Sequence, residues 1–333
     1  MCGAPRDAPV SGAAPARDVP RPWRFAHLSD PHLSTPDPLG ARDWLGKRAL
    51  GYLSWRRKRR FEHRAEVLEA LRADLARDPP EQILVTGDLT QLGMPGEFVQ
   101  GRRWLEMLGP PQQVGLVPGN HDCTRSEPWA GTLAHWQPYL DGDRRSAVSA
   151  FPSLRRRGGL ALIGLSRAVP SPPLLATGRV GADQLGELET LLVATGQEGL
   201  FRVVYLHHSP VPGQDPWRKR LVDAPAVAAV IARAGAELVL HGHRHRVRAA
   251  TLPSQGRQIP VQGIASASAL GRLGEAAGYS RYLVSPGERE WRLELERRGY
   301  DGTRFQRCAK LEIRIPRPAQ DSGSAAKPAC TRR

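Results

Sequence analysis

The chain has 333 residues, 40% of them hydrophobic, with 34 Gly, 30 Pro, eight Trp and a formal net charge of +15. That is enough apolar mass for one large core or two modest ones, and with no internal repeat it excludes a coiled or repetitive protein in favour of a loop-rich globular one. No run of 18 apolar residues occurs, which excludes a membrane-spanning helix. Residues 1–21 lack the apolar stretch of a secretory signal, so the expected location is cytoplasmic, with contact at the inner face of the membrane as the alternative. The four cysteines, Cys2, Cys123, Cys308 and Cys330, are scattered and form no CxxC. This argues against a disulfide framework and against a zinc knuckle.

In chain order, residues 1–21 read as a disordered tail rich in Ala, Pro and Arg. Residues 23–29 read as a strand. Residues 61–75 carry apolar side chains at helical spacing, and Asp78-Pro79-Pro80 ends that helix. A strand at 82–86, a helix at 97–108 and strands at 114–117 and 160–165 follow. A Leu-rich helix is predicted at 181–192, a strand at 203–206, an Ala/Val helix at 224–234 and a strand at 237–240. Beyond residue 258 only strands are predicted, at 259–264, 279–284, 291–296 and 310–315. Residues 317–333 read as a second disordered tail. Strand–helix alternation implies parallel pairing with helices outside, and the all-strand end implies a more antiparallel layer. The expectation is one α/β domain over residues 22–316, built on two sheets.

The charge is unevenly placed. Residues 42–60 hold Arg42, Lys47, Arg48, Arg56, Arg57, Lys58, Arg59 and Arg60 against one acid, Asp43. They lie in a surplus segment, 34–60, that starts at Ser34 and is interleaved with Trp44, Leu45, Ala49, Tyr52, Leu53 and Trp55. Gly46 and Gly51 weaken any helix there. Three readings stay open: a helix with its apolar face on the core and its cations in water, a lid whose cations grip a substrate phosphate, or a contact with an anionic membrane surface.

Five polar blocks each follow a predicted strand. They are Asp30-Pro31-His32, Gly87-Asp88-Leu89-Thr90, Gly119-Asn120-His121-Asp122, His207-His208-Ser209-Pro210 and His241-Gly242-His243-Arg244-His245. Ligands of open α/β sheets bind beyond the carboxyl ends of strands, so the five ends are expected to converge on one crevice. Asp, Asn and His donors suit Mn, Fe, Zn or similar divalent ions, and the lack of thiolates argues against structural zinc. Each block alone has a bland reading, as a turn, a cap or a hydrogen-bonded pair. The ordered set at five strand ends is what carries weight.

Over residues 23–265 that set resembles, in order, the motifs of the calcineurin-like metallophosphoesterases, and most closely the bacterial branch that holds the class III cyclic-nucleotide phosphodiesterases. The resemblance implies a four-layer sandwich, two mixed β-sheets flanked by helices. It implies that Asp30, His32 and His245 hold one metal ion, that Asn120, His207 and His243 hold a second, and that Asp88 bridges them. His207 is taken over His208 by analogy alone. His121 is implied at the leaving group, stabilising or protonating the departing oxygen, with Asp122 either orienting it or stabilising a turn. Arg244 departs from the small polar residue common in the family and adds a cation nearby.

The implied reaction is attack of a metal-bridging hydroxide on phosphorus. Two divalent ions against two carboxylates and one hydroxide leave about one positive charge, which suits a phosphodiester monoanion. A small or nucleotide-like phosphate ester is the expected substrate. The alternatives are a pyrophosphatase acting on a nucleotide-linked lipid at a membrane, a nuclease, and a metal-binding scaffold without turnover.

Overall fold

Two six-stranded sheets carry the fold. In the first, β1 (Trp23–Leu28), β2 (Gln82–Val85) and β3 (Val114–Leu116) run parallel. The hairpin series β10 (Gly278–Pro286), β11 (Glu290–Tyr300) and β12 (Phe305–Pro316) joins antiparallel beside β1, giving the order β12-β11-β10-β1-β2-β3. The second sheet contains β4 (Ser153–Arg157), β5 (Leu160–Gly164), β6 (Phe201–Tyr205), β7 (Leu238–His241), β8 (Arg248–Ser254) and β9 (Arg257–Gly263) in the order β4-β5-β6-β7-β9-β8. Its four inner strands are parallel, and β4 and β8 close the edges antiparallel. The helices are α1 (Lys47–Ser54), α2 (Arg60–Glu62), α3 (Ala65–Arg77), α4 (Pro95–Leu108), α5 (Gln137–Leu140), α6 (Ala182–Gln197) and α7 (Ala224–Ala234). The structure, a computed structural model, describes residues 21–33, 35–44, 46–124, 128–143, 150–166, 171–172 and 174–317. Both expected tails fall almost wholly outside the described residues, as do Cys2, Ser34, Leu45 and Cys330.

The pleat of the second sheet sorts its side chains into two cores. Leu160, Leu162, Phe201, Val203, Tyr205, Leu238 and Leu240 face the first sheet and share a core with Phe25, Leu84 and Leu293. Their neighbours Ala161, Ile163, Val204 and Val239 point the other way, onto Leu188 and Leu192 of α6 and Val227 and Ile231 of α7. This is the period-two alternation of a sheet buried on both faces. On the first sheet, Val67, Leu71 and Leu75 of α3 and Phe98 and Leu105 of α4 belong to the same buried cluster and cover the sheet with helices. The result is the four-layer arrangement the motif resemblance implies.

The residue patterns predicted most elements and missed two edges. β4 reads Ser-Leu-Arg-Arg-Arg, and three successive arginines hide a strand whose Arg155 is buried and donates to the carbonyls of Tyr139 and Asp141. β8 alternates exposed and covered residues as an edge strand does, without large apolar side chains at its start. The helix expected over 61–75 is broken. His63 (φ −92°, ψ 117°) and Arg64 (φ −126°, ψ 138°) are extended, so α2 and α3 are separate pieces. No helix among the described residues is long and apolar enough to cross a membrane.

Candidate metal centre

The parallel strands β1, β2 and β3 of one sheet and β6 and β7 of the other end at the same place, and the five polar blocks are the turns that follow them. Beyond the strands the backbone stays laced: Asp30 N–H donates to Gly87 O (2.9 Å), His32 N–H to Asp88 O (3.1 Å) and Gly242 N–H to His207 O (3.0 Å). The turns are sharp. Asp30, His32, Asp88, His243 and His245 all have positive φ, between 42° and 70°. Non-glycine residues hold this left-handed backbone only where the surroundings over-determine it, at a cost on the order of 1–3 kcal/mol each. Two motif glycines are required by close approach. A Cβ at Gly119 would collide with the Asp88 carboxylate, and one at Gly242 with Ser29 Oγ and the Asp30 carboxylate.

The side chains converge in two linked groups. Asp30 Oδ1 lies 3.1 Å from His245 Nε2, which lies 3.2 Å from His32 Nε2. Asp30 Oδ2 accepts from Ser29 Oγ (2.6 Å) and from His243 N–H (2.9 Å). In the second group His207 Nε2 is 3.2 Å from both Asn120 Oδ1 and Asp88 Oδ2, and the His207 and His243 rings are 5.1 Å apart. Asp30, Asp88 and His207 can offer donor atoms within one small sphere, which ties the groups together. Two of the inward nitrogens are backed by the other ring nitrogen: His32 Nδ1 donates to Thr90 O (3.1 Å) and His207 Nδ1 to Thr86 O (2.6 Å). Metal-binding histidines are fixed in this way, because the outer bond sets the tautomer. His208 donates through Nε2 to Ala176 O (2.8 Å) and stacks its ring on His243, and it can also offer a nitrogen to a group with His207 and His243.

The electrostatics fit a cation. Burial, and then the neighbouring rings of His63, His121 and His245, hold the His32 imidazole well below its usual value, so it is neutral. Imidazoles and two carboxylates aimed at one point are a donor set for a divalent ion. Burial would raise the Asp88 carboxyl, but His207 and His121 hold it well below the usual range. Burial likewise disfavours a charged His207, yet Asp88 outweighs it and lifts the ring to about 9.

Asp122 is a correction. Its carboxylate does not touch the His121 ring. Oδ2 accepts from the backbone N–H of Asp88 and Gly119 (both 2.8 Å), and Oδ1 from the N–H and Oγ of Thr90 (2.9 and 3.1 Å). Bonds of this kind to a charged group contribute ~1.5–3 kcal/mol each, so Asp122 ties two of the loops together, which is the turn-stabilising role. Burial and the nearby Asp88 push it up to about 6. The His121 ring is held instead by Gln91 O, which accepts from Nδ1 at 2.7 Å, with Arg59 Nη1 3.1 Å from the same nitrogen. Burial, with Arg59 adding to it against the pull of Asp88, takes His121 down to about 4. It is a neutral ring whose Nδ1 proton goes to Gln91 O, which leaves the lone pair on Nε2.

A cleft of about 390 Å³ opens over these residues, lined by Asp88, Asn120, His121, His243 and His245, by four cations, Arg59, Lys219, Arg244 and Arg246, and by two acids, Glu62 and Glu275. Arg244, the departure from the family pattern, lies 3.3 Å from Asp215. Two of the lining residues, Arg59 and His63, come from the end of the basic segment and its junction with α3. Arg59 stood in the sequence as one cation among eight and His63 as part of a helix; nothing but the Arg-Arg-x-x-His spacing marks them. The expectation of a helix with cations in water fails for α1. Arg48 is buried against Leu92 O and Gly93 O, while Leu50 and Leu53 are 48% and 38% exposed.

The chain belongs to the calcineurin-like phosphoesterase family, whose profile matches residues 24–247. A probable cyclic nucleotide phosphodiesterase of Synechococcus sp. is 28% identical over 190 residues, a match that covers 53% of this chain and 62% of that relative. Among solved structures, a dimetal phosphatase from Danio rerio superposes with a TM-score of 0.58 at 12% identity, over 90% of this chain and all of that one. A purple acid phosphatase from yellow lupin (Lupinus luteus) gives 0.54 at 12% identity, over 90% of this chain and 55% of that one. These likenesses are of fold.

The proton that His207 shares with Asp88 must leave when a divalent ion takes their lone pairs. Ion binding at pH 7 is therefore expected to release a proton, and affinity is expected to rise about tenfold per pH unit towards pH 9 and to level off above it. Calorimetry in two buffers of different ionisation heat measures this. An affinity that does not change with pH contradicts it.

Proposed function

We propose that the protein is a dinuclear-metal phosphodiesterase acting on a small, nucleotide-like diester. The observation that carries this reading is the convergence of the inward nitrogens of His32, His245 and His207 on the Asp30 and Asp88 carboxylates beneath one cleft. Asp30, His32 and His245 would hold one ion, Asn120, His207 and His243 the other, and Asp88 both. Two such ions supply a Lewis acid for the phosphoryl oxygens and a water that ionises near neutral pH. Only two carboxylates enter the set, so the centre stays positive and favours a monoanionic diester. The family membership and the diesterase name of the Synechococcus relative support the same substrate class.

The chain's own groups do the rest. Arg59, Lys219, Arg244 and Arg246 draw an anion into the cleft, whose low-dielectric walls strengthen their field. His121, neutral and tethered through Nδ1 to Gln91 O, offers Nε2 to take the proton released as water attacks phosphorus. It can then pass that proton to the departing oxygen. Positioned proton transfer of this kind is worth ~10²–10⁴-fold. Turnover of bis-p-nitrophenyl phosphate with added Mn²⁺ tests the reading. His121→Ala is expected to keep both ions and lose ~10²–10⁴-fold in kcat, while Asp88→Asn loses ions and activity together. Metal binding without turnover in the unmutated protein would favour the scaffold.

A second reading concerns where the substrate is met. The outer face of residues 44–61 exposes Trp44, Leu50, Leu53 and Phe61 beside Arg56, Arg57, Lys58 and Arg60. Apolar groups interleaved with cations match the interface of an anionic bilayer. Sedimentation with phosphatidylglycerol vesicles is expected to carry the protein down at low salt and less at high salt, and Leu53→Glu with Arg56→Glu to abolish it. Failure to bind at low salt, or equal binding to neutral phosphatidylcholine, removes this reading.

A further inference from the structure

His63 lies outside every motif of the ligand set, yet it stands over the first group. Its ring centroid is 4.6 Å from that of His32 and 5.5 Å from that of His245, and the three rings can each place a nitrogen within one sphere of metal-binding size. Its backbone is pinned. His63 N–H donates to Arg59 O, His63 bridges Ala269 across an isolated antiparallel pair, and Arg64 N–H donates to Ser268 O. The preceding Glu62 caps the facing loop, its carboxylate accepting from Gly271 and Arg272 N–H. The break between α2 and α3 exists at this residue, and the extended backbone turns the ring out of the helical path into the cleft.

A chain of hydroxyls backs the ring. Ser266 Oγ donates to Asp30 O (2.7 Å). Ser268 Oγ lies 3.4 Å from Ser266 Oγ and 2.8 Å from His63 Nδ1, so it is placed to accept the Nδ1 proton. In that tautomer Nε2 carries the lone pair. His32 and His207 show the same pattern of an outer nitrogen bonded to the protein and an inner one facing the centre, the arrangement that orients metal-binding imidazoles. The chain that fixes His63 ends on the backbone of Asp30, a residue of the group it faces.

We propose that His63 is an additional metal ligand, delivered through Nε2 to the ion held by Asp30, His32 and His245. The proposal rests on the dinuclear reading above and deepens it. A third imidazole makes the first position richer in nitrogen and shifts its preference away from Mg²⁺ towards Mn²⁺, Fe²⁺, Co²⁺ or Zn²⁺. It also couples the basic segment to the metal, because Arg59 and His63 then enter the cleft as one unit.

The test is metal binding by the full chain, without reference to activity. Metal content and Co²⁺ titration, followed by visible absorption, compare the unmutated protein with His63→Ala and Ser268→Ala. The unmutated protein is expected to take two ions. His63→Ala is expected to keep one at full occupancy and to bind the other at least about tenfold more weakly, with a changed Co²⁺ spectrum. Ser268→Ala leaves the ring in place and removes its support, so it is expected to show a smaller loss of the same ion; it carries the test should His63→Ala not fold. Two ions bound by His63→Ala with unchanged affinity and spectrum, or by Ser268→Ala unchanged where it alone folds, overturn the proposal. An unmutated protein that takes up no second ion overturns the dinuclear reading instead, so the two failures are distinct.

Discussion

The carboxylate of Asp30 joins the two sheets at the point where the chemistry is placed. It leaves β1 of the first sheet and accepts the backbone N–H of His243, which follows β7 of the second. Its other oxygen faces His245. His207 Nδ1, on the second sheet, donates across the same gap to Thr86 O on the first. Two layers that share an apolar core could slide by a fraction of a residue without losing much burial, since apolar packing is not directional. These polar cross-links cannot. They set the register of the strand ends and therefore the spacing of the donors.

The price of that convergence is local strain. Five of the seven motif residues of the proposed ligand set sit in left-handed backbone. The Asp122 carboxylate, accepting from Asp88, Gly119 and Thr90, is the buried group that holds two of these turns together. A divalent ion drawing the same donors inward would add to that restraint, as structural and catalytic metals do when they bind only the folded chain.

Much of this was legible in the residues. Apolar runs ending in Asp, His or Gly-Asp predicted both the strands and the side of the sheet where the polar blocks would meet. What distinguishes His207 from His208 was not legible, since only the partner sheet shows that Nε2 of His207 faces Asp88 and Asn120 while Nε2 of His208 bonds Ala176 O. Asp122 beside His121 invited a side-chain pair; the backbone N–H groups that claim its oxygens come from loops about 30 residues earlier. His63 was invisible because it lies in an amphipathic run that reads as one helix, and the break that frees it depends on Ser268 and Ala269, some 200 residues away. The basic segment divided in a way that composition does not record: Arg48 and Arg59 turn inward to carbonyls and to the cleft, and Leu50 and Leu53 turn outward.

On the dinuclear reading, one cleft binds two ions that share Asp88. Crystals of the protein grown with Mn²⁺ and measured near the manganese absorption edge test it directly. Two anomalous peaks ~3.5–4 Å apart are expected, one beside Asp30, His32 and His245, one beside Asn120, His207 and His243, with Asp88 between them. A single peak, or two peaks with Asp88 on neither, would contradict it.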